Sequence, residues 1–133
     1  SQLAEKSYDD VVEEVAEFLD ERRDYCLARG VSAESLLLDP GFGFGKSQAH
    51  NYELLRGLPR FSALGAPLLV GISRKSMIGA ATGRPVDQRL AGSVSAATLA
   101  LQGGARIIRS HDVAATVDAI KVYSAYCGNL GLD

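Results

Sequence analysis

Residues that could bind anions or flat polar rings stand at several points of this sequence, and the first is a glycine-rich stretch. Residues 38–47 read LDPGFGFGKS and end in the Gly-Lys-Ser of a nucleotide-binding P-loop. The P-loop pattern requires a glycine at position 40, but this chain has Pro40, whose nitrogen carries no proton for a phosphate oxygen. The dinucleotide-binding pattern fails as well, because its third glycine would fall at Lys46. What remains is a carboxylate, Asp39, at the start of a glycine-rich loop that carries two aromatic rings.

Polar residues follow each of three short apolar runs. Asp39 follows residues 36–38, Ser73, Arg74 and Lys75 follow residues 67–72, and Arg109 and His111 follow residues 105–108. Short apolar runs without alternation are typical of strands that are buried on both faces of a parallel sheet. The carboxyl ends of parallel strands lie on one face, so we expect these polar residues to form one site there.

Taken singly, each of these residues also has a structural explanation. The explanations are a turn cap for Asp39, a surface position for Lys75, an ion pair for Arg74 and for Arg109, and a loop donor for His111. Lys46 is open between support of the glycine-rich loop and a role in the site, and we expect His50 to be structural or on the surface. The functional interpretation is favoured because the residues stand together at strand ends.

The spacing of apolar residues predicts a helix before the first strand and one after each strand. The predicted helices run from a cap at Ser7 through Tyr8 to Gly30, from Asn51 to Leu64 with a kink or break at Pro59, from Val86 to Gly103, and onward from a cap at Asp112 with an apolar stripe at Val113, Val117, Ile120 and Tyr123. Successive strands are about thirty to forty residues apart, the length of a right-handed βαβ crossover. The predicted fold class is therefore α/β, built from parallel βα units.

Three such strands make an incomplete sheet, since its two edges would be apolar and unpaired. A barrel of eight βα units needs about 250 residues, roughly twice the 133 of this sequence. We therefore expect residues 1–133 to be a partial barrel domain, completed by another chain or cut from a longer one.

Composition narrows the possible partners and location. The formal charge of −2 and the pI near 5.7 give no electrostatic reason to expect nucleic acid. The sequence shows no leader and no apolar run approaching ~18 residues, so we expect no membrane partner and a cytoplasmic location. Cys26 and Cys127 form no metal or redox motif, and we expect them to be reduced, buried thiols.

The chemistry of the predicted site favours an anion together with a flat, hydrogen-bonding ring. Arg109 and His111 suit phosphate oxygens, and a guanidinium also stacks on a planar heterocycle. Asp39 can accept two N–H bonds from an amino-pyrimidine edge. Lys75 can donate to a ring oxygen or stabilise developing charge, and a loop aromatic ring, Phe42 or Phe44, can wall an aromatic second substrate.

Three stretches, in their order and spacing, resemble the C-terminal half of dihydropteroate synthase, the folate-pathway enzyme that sulfonamides inhibit. They are LLLDPGFGFGK at 36–46, PLLVGISRKSMIG at 67–79 and IIRSHDV at 107–113. The resemblance covers nearly the whole chain. It implies a TIM-type eight-stranded barrel whose C-terminal half is residues 1–133, a leading helix plus three βα units, with the N-terminal half absent.

The resemblance also implies roles for individual residues. The substrate-binding set would be Asp39 at the pterin ring, Phe44 and Ser73 at the para-aminobenzoate pocket, Gly71, Lys75 against both substrates, and Arg109 and His111 at the pyrophosphate, with Arg109 also stacked on the pterin. Lys75 and Arg109 are the expected catalytic residues. No metal ligand is expected in this chain.

The implied reaction condenses 6-hydroxymethyl-dihydropterin pyrophosphate with para-aminobenzoate and releases pyrophosphate. Mg2+ would sit on the leaving group, held by that pyrophosphate and by the absent N-terminal half. This chain alone is expected to be inactive, and the intact enzyme is expected to be a homodimer.

Two alternatives stay open. The pterin-binding domain of a corrinoid-dependent methyltransferase is also a βα barrel with an acidic pterin contact, although the sequence SRKS at 73–76 favours the synthase. The other alternative is a non-catalytic half-barrel with a binding or scaffolding role.

Overall fold

The structure is a computed structural model that describes residues 10–133, in which helices alternate with short strands. The elements are α1 (Val11–Ala28), α2 (Gln48–Arg56), α3 (Leu58–Ser62), β1 (Leu68–Val70), α4 (Ser76–Thr82), α5 (Leu90–Gln102), β2 (Ala105–Ile108) and α6 (Val113–Tyr126), with 3₁₀ turns at Ala33–Ser35 and Val86–Gln88. The helix start expected at Ser7 and Tyr8 lies outside the described residues. Asp10 caps α1, its carboxylate accepting from the Glu13 N–H.

The sheet is parallel, as predicted, and β1 pairs with β2. The first expected strand, residues 36–38, is wrong as a strand, because only Leu38 pairs, through a single bridge to Leu68. The Leu38 N–H donates to the Pro67 carbonyl at 2.9 Å, and its own carbonyl accepts from the Leu69 N–H at 2.9 Å. Within residues 10–133 no strand lies on the other side of this segment, so its outer edge is unpaired.

The helix predicted from Asn51 to Leu64 is two helices, and the break falls at Gly57. A β-carbon at Gly57 would lie 2.6 Å from the Val12 side chain, so a glycine here lets α1 approach closely. Pro59 stands in the first turn of α3, where its missing N–H leaves no hydrogen bond unmade. The helix begins earlier than predicted because the Ser47 hydroxyl accepts from the His50 N–H.

Two further boundaries differ from the prediction. Helix α5 begins at Leu90, after the 3₁₀ turn, and the short helix α4 was not predicted. Its sequence, SMIGAAT, is too short for helical periodicity to show.

The core lies between the strands and helices α1 to α5. Its largest fully buried apolar side chains are Val11, Phe42, Leu54, Leu58, Phe61, Leu68, Val70 and Met77. Helix α6 packs on α5, and Thr116 is its buried residue. The prediction that its apolar stripe faces the core is wrong, because Val113 and Val117 are exposed. Both thiols are free, but Cys127 is exposed and Cys26 half-buried, which corrects the expectation of buried thiols.

The exposed apolar side chains fit an incomplete barrel. A cavity of about 600 Å³ opens at the amino ends of the strands, lined in part by Leu37, Pro67 and Arg106.

Among the helices within residues 10–133, none has the length and apolar character needed to cross a membrane.

Candidate functional site

The loops at the carboxyl ends of β1 and β2 enclose a pocket of about 140 Å³. Its lining residues are Gly71, Ser73, Lys75, Arg109, Ser110 and His111. Asp39, at the end of the Leu38 segment, joins them through Arg109, whose Nη1 lies 3.8 Å from Asp39 Oδ2. The structure thus brings Asp39, Ser73, Lys75, Arg109 and His111, which follow the three apolar runs, to one face of the sheet.

The position of the Arg109 side chain depends on the glycine at position 71. A β-carbon at Gly71 would lie 2.6 Å from Arg109 Nη2 and 2.9 Å from its Cζ, so the guanidinium lies against the bare backbone of Gly71. The Arg109 side chain is 57% exposed, which leaves more than half of it accessible to a ligand. Such a surface can stack on a planar ring and donate to an anion.

The Asp39 carboxylate has two contacts of different kinds. Oδ1 accepts from the Gly41 N–H at 2.9 Å, the turn cap that its place before Pro40 predicts. Oδ2 faces Arg109 at ion-pair distance, without a direct hydrogen bond. Each carboxylate oxygen has a further lone pair, so Asp39 can still accept from a ligand.

Lys75 lies between the two aromatic residues of the glycine-rich loop. Its Nζ donates to the Phe42 carbonyl at 2.7 Å and is 5.1 Å from the centroid of the Phe44 ring. Phe42 is buried, whereas Phe44 is 62% exposed at the mouth of the site. Burial is the main cause that lowers the pKa of Lys75, the Arg109 cation lowers it further, and Asp39 opposes both.

Ser73 connects the ends of β1 and β2. Its hydroxyl oxygen accepts from the His111 N–H at 3.1 Å and lies 2.9 Å from His111 Nδ1. The hydroxyl can donate its proton to Nδ1, which leaves Nε2 as the nitrogen that offers an N–H to a ligand. His111 itself is exposed, so this N–H is accessible to an anion.

Arg74 forms an ion pair with Asp112, which is the structural explanation that the sequence allows for this arginine. Its Nη2 and Nε donate to the two oxygens of Asp112 at 2.7 and 3.2 Å. The Asp112 carboxylate is therefore not the side-chain cap of α6 that the sequence predicts. The hydrogen bonds from Arg74 lower the pKa of the Asp112 carboxyl.

The Arg74 backbone is held as well, by two residues that sequence reasoning missed. Arg74 has φ +58°, and it is the only non-glycine residue with positive φ between residues 10 and 133. Its N–H donates to the buried Ser93 hydroxyl at 2.9 Å, and its carbonyl accepts from Arg89 Nη1 at 2.9 Å. Arg89 and Ser93 both lie at the start of α5, and no local sequence pattern signals their role.

The glycine-rich loop is held by Lys46 and Asn51. Lys46 Nζ donates to the carbonyls of Gly41 at 2.7 Å and Phe44 at 3.3 Å, which places this lysine in support of the loop. Asn51 is 1% exposed, and its Oδ1 accepts from the Gly43 N–H at 2.8 Å. The sequence signal for Asn51 is a polar residue at a core-facing position of α2.

The donor set of the site fits an anion and does not fit a Mg2+ ion. Hard cations require several oxygen ligands, whereas the pocket presents Lys75, Arg109 and His111. The carboxylate beside the pocket, Asp39, is a single ligand group that already faces the Arg109 cation, which disfavours a second cation there. No cluster of His, Cys, Asp or Glu that could hold a metal occurs among the described residues.

Comparison with known proteins gives consistent matches. The sequence profile of the family described as pterin binding enzyme matches residues 1–111. The dihydropteroate synthase of Haemophilus influenzae is 53% identical over 118 residues, which is 89% of this chain and 43% of the relative. The enzyme of Escherichia coli K12 is 50% identical over the same share of this chain and 42% of the relative.

Solved structures match equally well. Dihydropteroate synthase from Xanthomonas albilineans in complex with 7,8-dihydropteroate is 55% identical with a TM-score of 0.89, covering 91% of this chain and 47% of that one. The same enzyme with 4-aminobenzoic acid has a TM-score of 0.90 at 54% identity, covering 92% and 45%. These likenesses confirm the predicted α/β partial barrel, and the chain spans less than half the length of these relatives.

Proposed function

This chain belongs to the pterin-binding enzyme family, and from that premise we propose that it is the C-terminal half of a dihydropteroate synthase barrel. The reaction joins 6-hydroxymethyl-dihydropterin pyrophosphate to para-aminobenzoate and releases pyrophosphate. The observation that carries the proposal is the convergence of Asp39, Lys75 and Arg109 at one end of the sheet, next to an exposed aromatic ring. The ligands in the two Xanthomonas albilineans complexes, 7,8-dihydropteroate and 4-aminobenzoic acid, are a product and a substrate of this reaction.

In this proposal Asp39 accepts N–H bonds from the pterin, and Arg109 stacks on the ring over Gly71. Arg109 and His111 donate to the pyrophosphate. The amine nitrogen attacks the methylene carbon of the pterin, the carbon–oxygen bond to pyrophosphate breaks, and the amine loses a proton. The cations of Arg109 and Lys75 are already in place for the charge that develops on the leaving oxygen, so little reorganisation is needed during the reaction.

Lys75 is placed to serve both substrates. Its Nζ is held at the Phe42 carbonyl, with the Phe44 ring on one side and the Arg109 cation nearby. Phe44 and Ser73 then line the pocket of the aromatic amine. Mg2+ on the pyrophosphate is part of the proposal, with ligands from the substrate and the complementary half, because the residues of this chain do not fit as its ligands.

The complementary half is the first proposed partner. We call the assembly of this chain with the remaining βα units the complete barrel, and we propose that activity requires it. The support is structural: among residues 10–133 the segment that contains Leu38 pairs on one side only, and Phe18 and Leu37 are 59% and 48% exposed. The cytoplasmic location is proposed together with this activity.

A homodimer through α5 and α6 is the second proposed partner. Its support is the apolar surface of these two helices. The exposed residues are Leu90, Leu99, Val113, Val117, Val122 and Tyr126. Sedimentation of the complete barrel tests it, and a monomer at micromolar concentration would contradict it.

Calorimetric titration of the complete barrel with para-aminobenzoate tests the function and separates the alternatives. A synthase should bind this amine in a titration that contains pyrophosphate and Mg2+, which would occupy the place of the leaving group. The pterin-binding domain of a methyltransferase binds a pterin but not the amine, and a non-catalytic half-barrel binds neither. Binding of a pterin alone would therefore overturn the synthase proposal.

A further inference from the structure

We propose that Asn51 is a positioning residue for the aromatic-amine side of the site, acting through the glycine-rich loop. The inference rests on the proposed function for the identity of the substrates. Asn51 lies on α2, outside the loop, and its amide is buried among core side chains. Its hydrogen bond to the Gly43 N–H joins that helix to the residue immediately before Phe44.

The backbone of the glycine-rich loop cannot hold one conformation by itself. Gly41, Gly43 and Gly45 all have positive φ, at +77°, +90° and +67°. Glycine adopts this region without steric cost, but it also leaves it without cost, so the loop requires external contacts to be ordered. The position of the Phe44 ring is set by those contacts.

Asn51 differs from the other contacts of the loop. Asp39 and Lys46 bond to the loop from its own two ends. Lys75 bonds to the Phe42 carbonyl, but it is also a proposed substrate-contacting residue. Asn51 is the buried, uncharged contact, and it comes from a helix that belongs to the core.

Loss of the hydrogen bond between Asn51 and Gly43 should affect one substrate more than the other. Gly43 stands between the Phe42 carbonyl, which fixes Lys75 Nζ, and the Phe44 ring. A β-carbon at Gly43 would be 3.7 Å from Lys75 Cδ, so the loop backbone also packs along the lysine stem. Arg109 and His111 are held by Gly71 and Ser73 instead, without contact to Asn51. Lys75 also contacts the pterin in the proposed function, but Arg109 and His111 remain to hold the pterin pyrophosphate, so loss of the Asn51 contact should affect the aromatic amine more than the pterin pyrophosphate.

Asn51→Leu in the complete barrel tests this directly, because leucine has a similar volume and no acceptor. The KM for para-aminobenzoate should rise roughly tenfold, the cost of one lost buried hydrogen bond. The KM for the pterin pyrophosphate should stay within about twofold. Asn51→Asp keeps an acceptor oxygen at the same place and should restore the KM for the amine.

Tyr52→Phe is the matched control. Tyr52 is the next residue on α2, and its hydroxyl donates to the Met77 carbonyl at 2.6 Å, away from the glycine-rich loop. Its removal also deletes one hydrogen bond of α2, but neither KM should change. An equal rise of both KM values in Asn51→Leu, or an Asn51→Asp variant that is folded and still behaves like Asn51→Leu, would overturn the inference.

Hydrogen exchange separates failure of the inference from failure of the proposed function. Asn51→Leu should speed amide exchange across residues 41–46 and leave residues 73–76 unchanged. A folded complete barrel that shows this pattern but catalyses no turnover would refute the synthase proposal and support the role of Asn51 in ordering the loop. Unchanged exchange across residues 41–46 would refute that role whether or not the barrel is active.

Discussion

The glycine-rich loop, residues 39–47, and the arginine loop, residues 73–76, reach the same site by opposite means. The glycine-rich loop uses left-handed backbone at three glycines, and side chains from elsewhere hold it. The arginine loop uses the same left-handed region at Arg74, a residue with a full side chain. A non-glycine residue in this region costs about 1–3 kcal/mol, which surrounding contacts must offset.

The difference shows in how each loop is held. Arg74 is fixed at its N–H by Ser93, at its carbonyl by Arg89 and at its side chain by Asp112. This dense support precedes Lys75, the cation at the centre of the proposed site. The glycine-rich loop presents an aromatic ring, and its order depends on Asn51 and Lys46. The structure therefore places its charged group on the rigid loop and its apolar wall on a loop that side chains from outside must order.

Loss of the cation on the rigid loop should have the largest effect. Lys75→Ala removes the group held at the Phe42 carbonyl, and kcat/KM of the complete barrel should fall by roughly 100-fold or more. Steady-state kinetics measure this, with circular dichroism to show that the fold is intact. Normal turnover by this variant would remove Lys75 from the mechanism.

Gly71→Ala tests the end of β1, from which the arginine loop begins. The new methyl group would stand 2.6 Å from the Arg109 guanidinium and displace it. Binding of pyrophosphate, measured by calorimetry, should weaken roughly tenfold, since a charge-assisted contact is lost. Gly131→Ala is the control, because nothing lies within 4 Å of a β-carbon there. Equal affinity in the two variants would show that Gly71 does not position Arg109.

Asp112→Asn weakens the support of the arginine loop and should change the pH dependence of stability. The pKa of Asp112 is lowered from its ordinary value of 3.8 by the hydrogen bonds from Arg74. A carboxyl with a lower pKa in the folded state stabilises the fold above its unfolded pKa, and this contribution is lost as pH falls through the folded pKa. Urea unfolding between about pH 6 and about pH 2 should thus show a shallower acid loss in Asp112→Asn. Parallel curves for the two proteins would contradict the role of this ion pair.

Phe44→Ala should have the smallest effect on stability. The ring is 62% exposed, so unfolding free energy should change by no more than about 0.5 kcal/mol. The KM for para-aminobenzoate should still rise severalfold, because the ring is the proposed wall for that substrate. A large loss of stability without a change in KM would mean that the ring is a structural contact.

The sequence was sufficient for the strand-end chemistry because that chemistry depends on local order. Asp39, Lys75 and Arg109 follow apolar runs, and parallel pairing brings such positions together. Prediction from the sequence fails where a distant partner competes with a local partner for the same side chain. Asp112 stands at a helix start, yet its carboxylate binds Arg74, 38 residues away.

Long-range contacts also explain the other misses. The roles of Ser93 and Arg89 in holding Arg74 depend on the way α5 packs beside the arginine loop, and no local pattern encodes this. Residues 36–38 have the apolar character of a strand, but within the described chain their pairing with β1 is limited to the single bridge between Leu38 and Leu68. Burial of the apolar stripe of α6 likewise depends on surfaces other than α5, the helix on which α6 packs.

Pyrophosphate release that depends on para-aminobenzoate tests the central claim most directly. It should be measured with dihydropterin pyrophosphate and Mg2+ for this chain alone, for the complementary half alone and for the two together. The account predicts release from the complete barrel and none from either half, because the pocket at the strand ends of this chain is only part of the site. Release by this chain alone, or none from a folded complete barrel, would contradict it.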